Sequence, residues 1–198
     1  MEASGDIRET LFVFDCEWVG DLREPHTTHI TEVAVYSVRT QATYHASCTA
    51  LASTEAIHTA CTKMGTAPLT ATASSCADML QGMIAFVTAE TEGRSTAPAL
   101  IGHNAVRYDA PVLLHNMRRC NVCMPAHWQV MDSLYHARFH MRHREPCNGF
   151  SLQQLCTLCN VTVDDTQLHG ALYDTMLLHA LLVSMSTQWQ VPYISGFM

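Results

Sequence analysis

The stretch Ala171-Leu172-Tyr173-Asp174-Thr175-Met176-Leu177-Leu178-His179-Ala180-Leu181-Leu182 reads as a helix that is apolar nearly all round, yet it carries a carboxylate. At helical spacing Asp174 shares a face with Ala171, Leu177, Leu178 and Leu181. That face belongs inside a fold, where a carboxylate is costly unless it is paired, hydrogen-bonded or bound to a metal. The same conflict recurs twice upstream. Asp109 opens Asp109-Ala110-Pro111-Val112-Leu113-Leu114, with Val112, Leu113 and Met117 following on its face. In Leu11-Phe12-Val13-Phe14-Asp15-Cys16-Glu17-Trp18, four apolar residues run into Asp15 and Glu17. Those two carboxylates point to one side of a strand, because side chains alternate with period two. Four carboxylates on otherwise buried elements call for a shared cation.

Working outward, residues 1–10 read as a polar tail and 11–18 as a strand. Residues 29–38 alternate and predict a second strand, and 42–50 a third after a turn near 39–41. The Thr- and Ala-rich segment 51–72 reads as loop. An amphipathic helix is expected over 74–89, with Ser74 or Ser75 as its cap. A polar connector at 91–97 leads to a short buried strand, 99–102, which runs into His103-Asn104. The next helix spans about 109–119, with Pro111 tolerated in its first turn. Residues 128–131 predict a strand, and 151–159 and 171–187 predict helices. Three strands followed by helix, strand, helix, strand, helix, helix describe an α/β layer protein. Its mixed sheet starts as an antiparallel meander and gains parallel strands later. The boundaries are a tail at 1–10, one domain at 11–187 and a tail at 188–198, without repeats.

The 198 residues can build one sizeable core. Apolar residues make up 48% and charged residues 15%, which excludes a disordered chain. The net charge of −7 excludes a generally nucleic-acid-coating surface, which would be basic, but not an enzyme that acts on nucleic acid with bound metal ions. Ten arginines accompany a single lysine, Lys63. Arginine is the better fork for phosphate oxygens, and a GC-rich coding sequence gives the same bias. The acidic start MEASGDIRET has no apolar signal core, and the nine cysteines suit a reducing compartment. The expected location is intracellular, cytosol or nucleus and not secreted, with no membrane partner because no run approaches the roughly 20 apolar residues of a span.

Cys120/Cys123 and Cys156/Cys159 are either two knuckles of a zinc site or buried small hydrophobes, and the second pair lies in a helix pattern that suits core packing. His136 and His140 share a helical spacing. With Arg138, Arg142 and Arg144 interleaved, this stretch reads as a basic loop or helix end.

Three blocks in order carry a family resemblance. They are Phe14-Asp15-Cys16-Glu17, Gly102-His103-Asn104-Ala105-Val106-Arg107-Tyr108-Asp109, and Leu168-His169-Gly170-Ala171-Leu172-Tyr173-Asp174. Together they make the chain resemble the DEDDh 3′→5′ exonucleases, the DnaQ-like group that includes the proofreading subunit of bacterial replicative polymerase. Asp132-Ser133-Leu134 and Ser151-Leu152 also follow the family's order, so the likeness covers about residues 11–185. It implies a ribonuclease H-like fold, a mixed five-stranded sheet flanked by helices. It also implies two Mg²⁺ or Mn²⁺ ions on hard oxygen ligands, about 3.5–4 Å apart in two-metal sites generally. By resemblance, Asp15, Glu17 and Asp174 hold the ion that carries the attacking water. Asp15 bridges to a second ion that Asp109 supports, and His169 is the general base. His103 and Asn104 help to position the strand.

The residue after Glu17 is often Thr in this family and is Trp18 here. It is either a packed aromatic or a stacking surface for a terminal base. Tyr108 is core or substrate-facing. Arg138, Arg142 and Arg144 are phosphate contacts or an ordinary solvated loop. Alone, Asp109 would read as a helix N-cap. The activity expected is metal-dependent hydrolysis at DNA 3′ ends, single-stranded or frayed, releasing nucleoside 5′-monophosphates. Trimming of RNA 3′ ends is the alternative. So is a catalytically silent binding or accessory module, which could dock a polymerase or other replication or repair partner through residues 189–198.

Overall fold

A computed structural model describes residues 7–24, 27–48, 75–141 and 149–193. Five strands form one sheet: β1 (Leu11–Val19), β2 (His29–Ser37), β3 (Thr43–Ser47), β4 (Ala99–Gly102) and β5 (Gln129–Asp132). Their order is β3-β2-β1-β4-β5. β1 pairs antiparallel with β2, which pairs antiparallel with β3, while β4 lies parallel to both β1 and β5. The expected mixed five-stranded sheet of the ribonuclease H-like fold is therefore the one observed. Three strands β1, β4 and β5 end at the same edge, the edge at which open sheets of this kind hold their ligands.

Alternation along β1 sorts the two layers. Phe12, Phe14 and Cys16 face one cluster, built with Met79, Leu80, Met83 and Val87 of α1 (Cys76–Glu90) and Val112, Leu113 and Met117 of α2 (Asp109–Arg119). Leu11 and Val13 face the other. That cluster gathers Ala137 and Met141 of α3 (Ser133–Met141), Leu155 and Cys156 of α4 (Leu152–Leu158), and Leu177, Leu178, Leu181, Leu182 and Met185 of α5 (Ala171–Trp189). Asp15 and Glu17, in phase with Val13, thus point to the α5 side. Ser75 caps α1 and Ser151 caps α4, each in a reciprocal capping box with Asp78 and Gln154.

Several boundaries move. The third strand is shorter than 42–50, and the last helix runs two residues past 187, to Trp189. Residues 7–10 form a 3₁₀ turn in place of the end of a polar tail. Residues 136–141 of the stretch read as a basic loop or helix end are the last residues of helix α3, whose apolar stripe is weak in sequence because histidines occupy part of its inner face: His136 is buried. Tyr193 is buried and hydrogen-bonded through its hydroxyl to His179 Nδ1 at 2.7 Å. The C-terminal segment is therefore anchored to its own domain at that residue, while Gln190 and Pro192 are exposed. The loop expected at 51–72 and the end of the C-terminal tail, 194–198, lie outside the described residues. None of the described helices is long and apolar enough to cross a membrane.

Candidate active site

A cleft of about 710 Å³ opens at the carboxyl ends of the parallel strands. It is lined by Asp15, Glu17, Asp109 and Asp174, and by His169, Trp18, His103, Asn104, Tyr108 and Arg138. The five residues expected to carry the chemistry come together, from β1, α2, α5 and the turn before α5. So do five of the seven expected at the substrate. Arg142 and Arg144 lie outside the described residues.

Each carboxylate is held by a local device. Asp15 and Glu17 are consecutive residues on one face of β1. Asp174 sits in the first turn of α5, where the helix dipole favours a negative charge. His169 lies one residue before the Gly170 N-cap, in the left-handed region at φ 64°, which turns its exposed ring back toward the cleft. Ligand atoms of Glu17, His169 and Asp174 lie within 4.8 Å of one another. Asp109 is buried as the first residue of α2 and the N-cap residue is Tyr108, so the N-cap reading is set aside.

Burial pushes all four carboxyls above the ordinary range. For Asp15 the shift is large, driven first by burial and then by Asp109, Glu17 and Asp174. Glu17 is pushed up to about 8 by burial and then by Asp174, Glu32 and Asp109. Asp109 rises to about 6, mainly through burial, against the pull of a hydrogen bond from Cys16. Asp174 also rises to about 6 through burial, opposed by the His169 backbone and ring. One oxygen of this group, Asp174 Oδ1, is buried without a hydrogen-bond partner. Crowded carboxylates with an orphaned oxygen form a hard donor set that fits divalent cations such as Mg²⁺ or Mn²⁺, with the His169 ring beside them.

The residues around this group act as struts. Asp132, the last residue of β5, accepts hydrogen bonds from the backbone N–H groups of Asn104 (3.0 Å), Val106 (3.1 Å) and Leu134 (2.9 Å). It thereby fixes the loop after β4, in which Asn104 takes a left-handed φ of 59°. Gly102 is required at the start of that loop: an added Cβ would come within 2.7 Å of Ala105 Cβ and 3.1 Å of the Phe14 carbonyl oxygen. His103 does not turn a free nitrogen to the cleft. Its Nδ1 lies 2.9 Å from Ser133 Oγ and its Nε2 lies 2.8 Å from the Phe150 carbonyl. The carbonyl can only accept, so Nε2 carries the proton and Nδ1 accepts from the serine. His103 therefore ties the cleft wall at Phe150 to α3.

Trp18 stacks on Tyr108, with ring centroids 6.4 Å apart and planes 20° apart. The two aromatics directly follow Glu17 and precede Asp109. The β1–β2 register slips between Glu17 and Trp18, and such a bulge re-aims the side chain beside it. Arg138 lies with its guanidinium 5.4 Å from the centre of the Phe150 ring at the cleft wall.

Three contributors escaped the sequence reading. Cys16, between the first two carboxylates, donates its thiol to Asp109 Oδ1 at 3.3 Å across 93 residues of chain. Ser133 holds His103. Glu32 lies opposite Glu17 on β2. Only the tertiary pairing reveals these, although Glu32 is a lone acid amid an apolar strand. The cysteine pairs gain no support as zinc knuckles. Cys156 and Cys159 are buried in the core, and burial pushes the Cys156 thiol up to about 12. Among the described residues, the one group of three or more His, Cys, Asp or Glu residues with closely spaced ligand atoms is Glu17, His169 and Asp174.

Strand order, strand direction and a carboxylate cleft at the parallel edge define a nuclease of the ribonuclease H-like class. The sequence matches the RNase_T exonuclease family over residues 12–182. The chain belongs to that family, the DEDD-type 3′→5′ exonucleases, which are phosphodiester hydrolases. No curated protein sequence matches it significantly. Among solved structures it is similar to exonuclease I, with a TM-score of 0.68 at 17% identity over 89% of this chain and 40% of that one. E. coli exonuclease I bound to a dT13 oligonucleotide gives 0.68 at 16% identity, covering 91% of this chain and 41% of that one. The zinc-bound complex of E. coli exonuclease I with single-stranded DNA gives 0.68 at 16%, covering 90% and 40%. The chain thus spans about two-fifths of the length of these proteins.

Proposed function

We propose that this chain removes nucleotides one at a time from the 3′ end of single-stranded or frayed DNA, by metal-dependent hydrolysis that releases nucleoside 5′-monophosphates. The observation that carries this reading is the convergence of Asp15, Glu17, Asp109, Asp174 and His169 in one cleft, with Asp174 Oδ1 buried and unpartnered. Asp15, Glu17 and Asp174 would hold one divalent ion, and Asp15 with Asp109 a second. Bound there, such ions neutralise phosphoryl oxygens and lower the pKa of water. His169 is exposed beside the carboxylates and takes the proton from the attacking water. Trp18, on its Tyr108 support, offers a face on which the terminal base stacks. Asn104 and Arg138 line the path of the strand. His103 acts through the wall it holds rather than by touching substrate.

The 3′ polarity follows the 3′→5′ exonuclease family to which the chain belongs, and the cleft lined by Phe150 and Asp174 has to receive a strand end. Single-stranded and frayed ends follow, since a paired terminus must first be opened. The similar exonuclease I structures with bound single-stranded DNA support DNA as substrate. The test is to incubate the purified protein with end-labelled DNA and RNA oligonucleotides of one sequence, with Mg²⁺ or Mn²⁺. DNA should be shortened and RNA should lag. Preferential loss of RNA would make the chain an RNA 3′-end trimmer. No loss of either would favour a silent binding module.

A further inference from the structure

Glu32 breaks a rule of sheet pairing. It lies directly opposite Glu17 in the β1–β2 register, so the two side chains emerge on the same face a few ångströms apart at the backbone. Like charges in directly opposed positions destabilise a sheet. The Glu32 side chain is only 13% exposed, so water screens little of that repulsion. It faces the α5 side of the sheet, with Asp15 and Glu17, and its charge helps to push up the carboxyls of Asp15, Glu17 and Asp174. Among the described residues one partner reaches it: His45 of β3 places Nε2 2.7 Å from Glu32 Oε1. His45 pairs with Ala34, which pairs with Asp15, so all these residues lie in one cross-strand row and its neighbour. A hydrogen bond from one ring nitrogen fixes one oxygen and leaves the net negative charge of the row in place.

We propose that Glu32, held by His45, is a fifth carboxylate of the cation site, a positioning residue that sets how tightly Asp15, Glu17 and Asp174 hold a divalent ion. This rests on the reading of that cleft as a divalent-cation site. Glu32 does not line the cleft itself, so it acts on the ligands rather than on the substrate. Partners outside the ligand shell commonly change metal affinity about 10–100-fold when removed. His45 orients the carboxylate in the way that such partners orient a ligand. The repulsion that Glu32 adds without a cation is relieved with one, so its contribution has opposite signs in the two states. A residue that merely packed would stabilise both.

The test measures Mn²⁺ binding by titration calorimetry and metal-free melting in wild type, Glu32→Gln, His45→Ala and Asp174→Asn. Glu32→Gln should bind Mn²⁺ about 10–100-fold more weakly, while its metal-free melting temperature stays level or rises. His45→Ala should show a smaller loss of affinity, because the carboxylate remains but is no longer held. Wild-type affinity in Glu32→Gln, or lost affinity together with a lower metal-free melting temperature, overturns the proposal. Wild-type affinity in Asp174→Asn would instead remove the cation site on which it rests. A loss in Asp174→Asn with none in Glu32→Gln leaves the site standing and rejects the role of Glu32. Should Glu32→Gln not fold, unaltered Mn²⁺ affinity in His45→Ala rejects the arrangement as well.

Discussion

At the scale of single residues, the chemistry depends on side chains held in places where they are costly. Asp174 lies on a face otherwise built for Leu177, Leu178 and Leu181, and one of its oxygens has no partner. His169 stands at a positive φ, a conformation that non-glycine residues adopt only where the surroundings insist on it. Its ring is exposed, and its backbone N–H and its ring both bear on Asp174. His169→Ala should therefore lose about 10²–10⁴-fold in turnover, while Mn²⁺ still raises the melting temperature. Single-turnover kinetics and thermal melting decide it. Wild-type turnover in the variant removes His169 from the mechanism, and loss of the Mn²⁺ shift makes it a ligand instead of a base.

At the scale of elements, the site is built from strand ends and the segments that leave them. Asp132 shows how: one carboxylate at the end of β5 collects three backbone N–H groups, two of them from the loop after β4. Asp132→Ala leaves one buried donor, Leu134 N–H, and two part-buried ones unpaired, and a buried one costs on the order of 1–3 kcal/mol. Chemical denaturation should show a loss of about 2 kcal/mol or more, and turnover should fall although no ligand has been removed. A variant as stable as wild type would mean that the loop holds its shape without this acceptor. Elements with strong local patterns were legible from sequence. The period-two run of β1, the Ser75 cap of α1 and the apolar α5 all stand where the pattern puts them. Helix α3 was not legible, because His136 and His140 blur its apolar face and Arg138 points to the cleft. The four carboxylates and His169 could be read because they violate burial rules or sit in ordered blocks. Cys16 and Ser133 carry no local signal of that kind, and Glu32, although a lone acid in an apolar strand, is tied to the site only by its pairing with Glu17, since the partners of these residues lie 15 to 93 residues away. Nor does the sequence reveal that both ring nitrogens of His103, which lines the cleft, are engaged by Ser133 and the Phe150 carbonyl.

At the scale of the whole molecule, the sheet with its two helical layers supplies stability that the cleft partly spends. Glu17 titrates near 8, and Asp109 and Asp174 near 6, all raised first by burial. In an unfolded chain carboxyls titrate near 4. The native state thus binds more protons than the unfolded state between about pH 4 and 8, and this contribution to stability falls as pH rises. It is complete below about pH 4 and lost once pH passes the folded values. Glu17→Gln should accordingly raise the metal-free melting temperature more at pH 8.5 than at pH 5. An equal change at the two pH values would show that the Glu17 carboxyl is not held above its ordinary range.

The proposed activity requires that one strand terminus enter one cleft. The direct measurement is product analysis, with Mg²⁺, of four DNA substrates: a free single strand, the same strand blocked at its 3′ end, one blocked at its 5′ end, and a closed single-stranded circle. The free and 5′-blocked strands should shorten from the 3′ end and release nucleoside 5′-monophosphates. The 3′-blocked strand and the circle should persist, and Asp174→Asn should leave all four intact. Rapid cutting of the circle, or shortening of the 3′-blocked strand from its 5′ end, would contradict the assigned polarity and with it the role given to the cleft.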